Sequence, residues 1–181
     1  MDKLELHTDR LILRRWRDTD RDAFAQMNAD PRVMEYFPAC LTRDESDSTI
    51  VRVEKHFDDH GFGFFAAELR QTGGLAGAIG LAIPGFEAFF TPCVEVGWRL
   101  SVANWNQGLA TEGARAVVEF AFETLGLAGL VSFTTRGNLR SRHVMEKLGM
   151  HYAGDFEHPR ITEGHPLRPH VLYRLASGQR S

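Results

Sequence analysis

Cysteine is nearly absent: only Cys40 and Cys93 occur, far apart along the chain. Two thiols so placed form neither a disulfide framework nor a zinc motif, and they point to a reducing compartment. Long apolar runs are missing too; none approaches the roughly 20 residues that cross a bilayer as a helix. Charge of one sign is also lacking. Lys and Arg number 21 against 24 Asp and Glu, a net charge of −3, which argues against a general attraction to nucleic acid or to an anionic membrane. Met1-Asp2-Lys3-Leu4-Glu5 has no signal-peptide core. His151, His158, His165 and His170 lack metal-ligand spacing. No internal repeat or low-complexity stretch is visible. These absences predict a cytoplasmic protein with no metal and with neither nucleic acid nor membrane as partner.

What remains is ordinary globular material. The 181 residues are 43% apolar and 25% charged, which suits a single domain over 1–181 with a proper core. Residues 4–17 read as a strand interrupted at Thr8-Asp9. Residues 18–29 read as a short helix, capped by Asp18 or Thr19 and stopped by Asp30-Pro31. Glu35-Tyr36-Phe37-Pro38 is an aromatic loop. Thr42 and Glu45 fit a capping box that opens a second helix, ending near Gly61. Residues 62–70 and 75–83 read as strands joined by Gln71-Thr72-Gly73-Gly74. Residues 93–102 form the next strand. The amphipathic run after Gly108 predicts a long helix up to Gly126. A strand over 130–135 precedes a helix capped by Asn138 and ended by Gly149. Residues 151–157 and 169–176 are the last strands. The interleaving gives one layered α/β (α+β) unit.

One stretch organises the rest: Trp105-Asn106-Gln107-Gly108-Leu109-Ala110-Thr111-Glu112. A small-residue turn opening a helix leaves backbone N–H groups unpaired and backed by the helix dipole, which makes an anion site. The plain alternative is a helix start that only needs a tight turn. A P-loop is the rival phosphate reading, but no Gly-Lys-Ser/Thr follows.

The element order and the local motifs resemble a GNAT-superfamily N-acetyltransferase of the RimJ/RimL-like branch. Thr8-Asp9-Arg10-Leu11-Ile12-Leu13-Arg14 is similar to that branch's opening strand. Asn104 to Glu112 is similar to its acyl-CoA loop, and Asn138-Leu139-Arg140-Ser141 through Lys147-Leu148-Gly149-Met150 to its final helix. The likeness runs from about Leu6 to Arg174. It implies a mixed, mostly antiparallel central sheet of about seven strands, with helices on both faces and a splayed strand pair holding acyl-CoA. It implies acetyl-CoA as cosubstrate and an amine as partner: a protein N-terminus, as in ribosomal-protein acetylation, or a small amine or aminoglycoside. A homodimer is among the oligomeric states it allows. A non-catalytic CoA-binding or sensing protein is the reading of another class.

The resemblance also assigns residues. Main-chain amides of Gln107, Gly108, Leu109, Ala110 and Thr111 would hold the pyrophosphate, with Trp105 standing where the family has Gln or Arg. Leu100 and Val102 would border the acyl arm, and a free N–H there would polarise an acyl carbonyl. Asn138 and Ser141 share a helix face and would meet the arm, though Asn138 also suits a helix cap. Arg142, with Arg136, Arg140 and Lys147, would meet the 3′-phosphate end or form a solvated face. Glu95, alone in an apolar strand, reads as a general base or as half of an ion pair. The position where many family members carry an acidic Tyr is Met145, which leaves Ser141 as candidate acid. Tyr36, Phe37 and Trp98 would line the acceptor cleft; Phe86, Phe89 and Phe90, and more weakly His158, Arg160 and His170, could border it.

Overall fold

A computed structural model describes residues 4–178; Met1-Asp2-Lys3, part of the leader reading, lies outside them. Among the described residues eight strands form one sheet in the order β1-β2-β3-β4-β5-β6-β8-β7. The strands are β1 (Leu6–His7), β2 (Leu11–Arg14), β3 (Phe64–Leu69), β4 (Leu75–Ala82), β5 (Glu95–Leu100), β6 (Gly129–Thr135), β7 (His151–Glu157) and β8 (Pro169–Ala176). Four helices accompany them: α1 (Arg21–Ala29), α2 (Arg43–His60), α3 (Leu109–Glu119) and α4 (Leu139–Lys147). Every neighbouring pair is antiparallel except β5 and β6, which run parallel.

The count of eight exceeds the expected seven because residues 4–17 make two strands. Thr8 N donates to Leu11 O (3.0 Å) and Leu11 N to Thr8 Oγ1 (2.9 Å), folding β1 back onto β2 as a hairpin. Neither Asp18 nor Thr19 caps α1. A 3-10 turn over Asp18–Asp20 precedes it, and Asp20 Oδ2 accepts from Arg17 N (2.8 Å). The capping box of α2 is present, with Thr42 N donating to Glu45 Oε2 (2.8 Å), and Gly61 ends the helix at φ 77.

Strand alternation sorts the core into two layers. Leu11, Leu13, Phe65, Ile79, Leu81 and Val96 point to α3 and meet Ala114, Val117 and Ala121. Each such side chain, fully buried, stabilises by about 1.5–3 kcal/mol. Gly113 lets α3 lie close on β4, since a Cβ there would fall 2.5 Å from Ile79 Cδ1. α3 continues as a π-helical turn over Phe120–Thr124 before Gly126. On the other face Ala66 and Ala78 meet Phe24 and Met27 of α1 and Ile50 of α2.

A buried ionic knot anchors the first strands to α1. Arg14 donates from Nη1 and Nη2 to Asp20 (2.7 and 2.9 Å) and from Nε to Glu68 (2.6 Å). Burial alone would raise the Asp20 carboxyl; the bonds from Arg14 and from the Arg17 N–H outweigh it and hold it below the usual range. The stability this gives is present above the ordinary aspartate pKa and lost as pH falls through the depressed one. Asp20→Ala therefore costs about 3–5 kcal/mol in urea unfolding at neutral pH. The gap to the wild type narrows as the pH is lowered below about 4.

Candidate active site

β5 and β6 are joined only at one end. Glu95 is registered opposite Val131, and Val131 N donates to Val94 O (2.9 Å); beyond that point the strands part. β4 still pairs with all of β5, from Ala82–Glu95 to Gly77–Leu100, and Ser101 N donates to Ala76 O (3.0 Å). By antiparallel alternation the N–H groups of Trp98 and Leu100 point away from β4, into the split. The Leu100 carbonyl on that side is taken by Trp105 Nε1 (2.8 Å).

A cavity of about 920 Å³ runs through the split. At one end stands the loop before α3. Asn106 (φ 57) and Gly108 (φ 79) adopt left-handed backbone, which turns the chain so that the first amides of α3 face outward. Arg10 braces this turn: Nη1 donates to Gln107 O (2.8 Å) and Nε to Glu112 Oε2 (2.7 Å). Gly108, Leu109, Ala110 and Thr111 line the cavity, as do Leu100, Trp98, Asn138, Ser141, Tyr36 and Phe37.

Val102 and Arg142, both expected there, do not line it, and Gln107, expected to act through its main chain, keeps its side chain out of it. Gln107 turns its amide to Ala103 O (2.8 Å), so only its main chain faces the loop. Val102 packs with the α1–α2 layer. Arg142 is drawn away by Tyr173 Oη (3.4 Å) and Arg136 O (3.2 Å). The basic cluster is otherwise divided: Arg136 pairs with Asp155, and Arg140 pairs with Glu35 and stacks on Trp105, while Arg140 and Lys147 line the cavity. Phe86, Phe89 and Phe90 do not border the cleft either. Their loop folds onto Phe133 and Phe156, where edge-on ring contacts bury Phe90. His158, Arg160 and His170 do line the cavity, with the two imidazoles 4.9 Å apart. Burial depresses both, His158 to about 4, with His170 adding to the effect.

Asn138 is committed to structure: Oδ1 accepts from Ser141 N (3.2 Å) and Nδ2 donates to Thr134 Oγ1 (2.9 Å). The Ser141 hydroxyl has no hydrogen bond among the described residues. Met145 is buried against the core. Among the described residues no three His, Cys, Asp or Glu side chains converge on a metal position. Both Cys40 and Cys93 are free thiols.

Glu95 lies at the closed end of the split. It lines the cavity, so water can reach it, yet it has no hydrogen bond or ion pair among the described residues. The ion-pair alternative is therefore not realised. Burial pushes its carboxyl up to about 8. Two residues along the same face is Gly97, and two further is Arg99, which the sequence reading passed over. The alternation Glu95-x-Gly97-x-Arg99 in an otherwise apolar strand was the available signal.

The sequence profile described as an acetyltransferase (GNAT) domain matches residues 10–151. The chain belongs to the GNAT acetyltransferase family. It is an acyltransferase of the N-acetyltransferase kind, and GNAT enzymes take acetyl-CoA as cosubstrate. Its relatives include an FsC-acetyl coenzyme A-N(2)-transacetylase of Aspergillus fumigatus, 32% identical over 83% of this chain and 66% of that protein. A GNAT-family acetyltransferase from Bacillus anthracis superposes with TM-score 0.80 at 24% identity, covering 97% and 99% of the two chains. A ribosomal-protein-S5-alanine acetyltransferase from Vibrio fischeri does so with TM-score 0.77 at 13% identity, covering 98% and 99%. At those identities the structural likeness concerns the fold. No helix among the described residues is long and apolar enough to cross a membrane.

The Glu95 shift has a stability consequence with a definite sign. The unfolded carboxyl titrates near 4.3 and the folded one near 8, so the unfolded chain sheds its proton first as pH rises. Stability falls across that interval and levels off above it. Glu95→Gln removes the fall. In thermal unfolding the variant melts above the wild type at about pH 7.5, and the two converge near pH 4.

Proposed function

We propose that this GNAT enzyme moves an acetyl group from acetyl-CoA directly to a primary amine. The observation that carries the reading is the β5–β6 split, with Glu95 unpaired at its closed end and free strand amides along its edge. The site fits the cosubstrate in two respects. The outward amides of Gly108 to Thr111 at the start of α3 suit a pyrophosphate. The unpaired N–H groups of Trp98 and Leu100 suit an amide-rich arm that takes the place of the missing strand partner. Acetyl-CoA supplies the activated acyl group.

The remaining work belongs to the chain. Glu95, with its carboxyl raised by burial, accepts a proton from the incoming ammonium, directly or through water in the cavity. The Leu100 N–H is placed to polarise the acyl carbonyl; one such donor contributes about 3 kcal/mol of barrier lowering. The Ser141 hydroxyl is free to donate to the departing sulfur, a role the buried Met145 cannot fill. Tyr36 and Phe37 form the wall on the acceptor side, whereas Trp98, expected there, lies on the α3 face of β5. Holding both reactants in one cleft supplies much of the rate. The enzyme reading is favoured over a sensing protein because an unpaired, partly buried carboxylate is costly to keep without a chemical use.

Two acceptor classes follow from the family: a protein N-terminus, as the name of the Vibrio fischeri neighbour suggests, and a small amine. The lining speaks against polycationic amines such as aminoglycosides. It contains Arg32, Arg52, Arg99 and Arg160, and Glu95 is its one carboxylate.

Release of free CoA thiol across amino acids, peptides, polyamines and aminoglycosides tests the reading. Thiol release that needs an amine supports it. A protein that binds acetyl-CoA yet stays silent with every amine is a sensor. Glu95→Gln lowers kcat by about 10²–10⁴-fold while acetyl-CoA binding persists. The wild-type rate rises with pH through a limb near 8, and the variant lacks that limb.

A further inference from the structure

Arg99 is a charge that acetyl transfer itself does not use. It projects from β5 on the same face as Glu95 and lines the same cavity. Nη1 donates to Asn28 Oδ1 (2.8 Å), and Asn28 is in turn fixed by its bond to Ser46 Oγ (2.9 Å) beneath α2. The Phe37 ring covers one face of the guanidinium, 4.1 Å from Cζ to the ring centroid. Nε is buried with no acceptor at all, and Nη2 has no hydrogen bond among the described residues. Among the described residues no carboxylate pairs with Arg99, whereas Arg14, Arg15 and Arg32 are all paired. Burial without a counter-ion lowers its pKa to about 10 and leaves it charged at neutral pH.

An arginine desolvated in this way is costly unless a ligand supplies the missing anion. With Nη1 engaged by Asn28, the edge without partners is Nε, which is shielded, and Nη2 beside it. That edge presents two parallel N–H donors, the geometry of a bidentate carboxylate contact. A neutral amide can accept from this edge but brings no counter-charge, and an ammonium group is repelled. Between the two charges Gly97 has no side chain, and the Phe64 ring lies over it. Glu95 and Arg99 stand four residues apart, about 13 Å between Cα atoms in an extended strand, so an acceptor reaching both would pass over the Phe64 ring that lines the cavity between them.

We propose that the acceptor is an amine that also carries a carboxylate, held by Arg99 against Phe37 while Glu95 faces the amine. The assignment rests on the acetyl-transfer reading and narrows its substrate class.

Matched acids and carboxamides test it. The acceptors are β-alanine and β-alaninamide, dipeptides with free and amidated C-termini, and spermidine as a polycation. Each is assayed for thiol release with acetyl-CoA. In parallel, N-acetyl-β-alanine and its amide are titrated calorimetrically into the protein, which requires no turnover. The acids should lead their amides by about 10- to 100-fold in kcat/KM, and the N-acetyl acid should bind tighter by a similar factor. Arg99→Gln should abolish that preference through KM, and Arg99→Lys should restore part of it.

Amides or spermidine turned over as well as the acids overturn the carboxylate site and leave acetyl transfer standing. Selective binding of the N-acetyl acid without thiol release from any amine does the reverse. A loss in Arg99→Gln shared equally by acid and amide marks Arg99 as a strut between β5 and α1 and overturns the proposal. Should that variant fail to fold, the wild-type acid and amide comparison decides alone.

Discussion

Everything in this molecule depends on one broken ladder. β5 and β6 meet at Glu95 and Val131 and then part, in the middle of a sheet that is otherwise continuous. A sheet interior does not tolerate idle backbone donors, so the gap has to be filled by something other than a strand. Three features of the chain keep the gap from closing. Trp105 occupies the Leu100 carbonyl. The left-handed turn at Asn106 and Gly108 sets α3 at the open end. Arg10 ties that turn back to the first hairpin.

The same strand serves two tasks because of the pleat. Its even-numbered residues Val96, Trp98 and Leu100 pack toward α3, and the amides of Trp98 and Leu100 face the split. Its odd-numbered residues Glu95, Gly97 and Arg99 face the α1–α2 side and bring a carboxyl and a guanidinium to the floor of one cavity. On the proposed reading, donor-binding and acceptor-binding chemistry are separated by a single residue step along β5. A shift of register by one would exchange them, and the complete pairing of β4 with β5 prevents that shift.

The fold was legible in the sequence where local chemistry dictates it. The Thr42 and Glu45 box, the glycines that end helices at Gly61 and Gly126, and the amphipathic run of α3 all appear as read. The hairpin at Thr8 was not legible as such, because β1 is two residues long and owes its place to tertiary bonds with Glu112. Asp20, in place of Asp18 or Thr19, closes the turn into α1 since Arg14 selects it from another element. Of the site, the loop residues and Glu95 could be singled out from type and position. Val102 and Arg142 could not be set aside, because packing holds the one and Tyr173, distant in sequence, draws off the other. Arg99 was missed because its meaning lies in what does not pair with it, and a sequence does not show that.

The mouth of the cavity carries a tie between the two halves of the sheet. Tyr36 donates to Gly137 O (3.2 Å), and Glu35 pairs with Arg140 (2.9 Å), joining the loop after α1 to the turn before α4 and to the first turn of α4. Both contacts are solvent-exposed, and an exposed ion pair contributes only about 0–1 kcal/mol. Such a tie is a latch, weak enough to open on thermal motion and weakened further by salt. Ionic strength thereby sets how firmly these two edges of the cleft are held together.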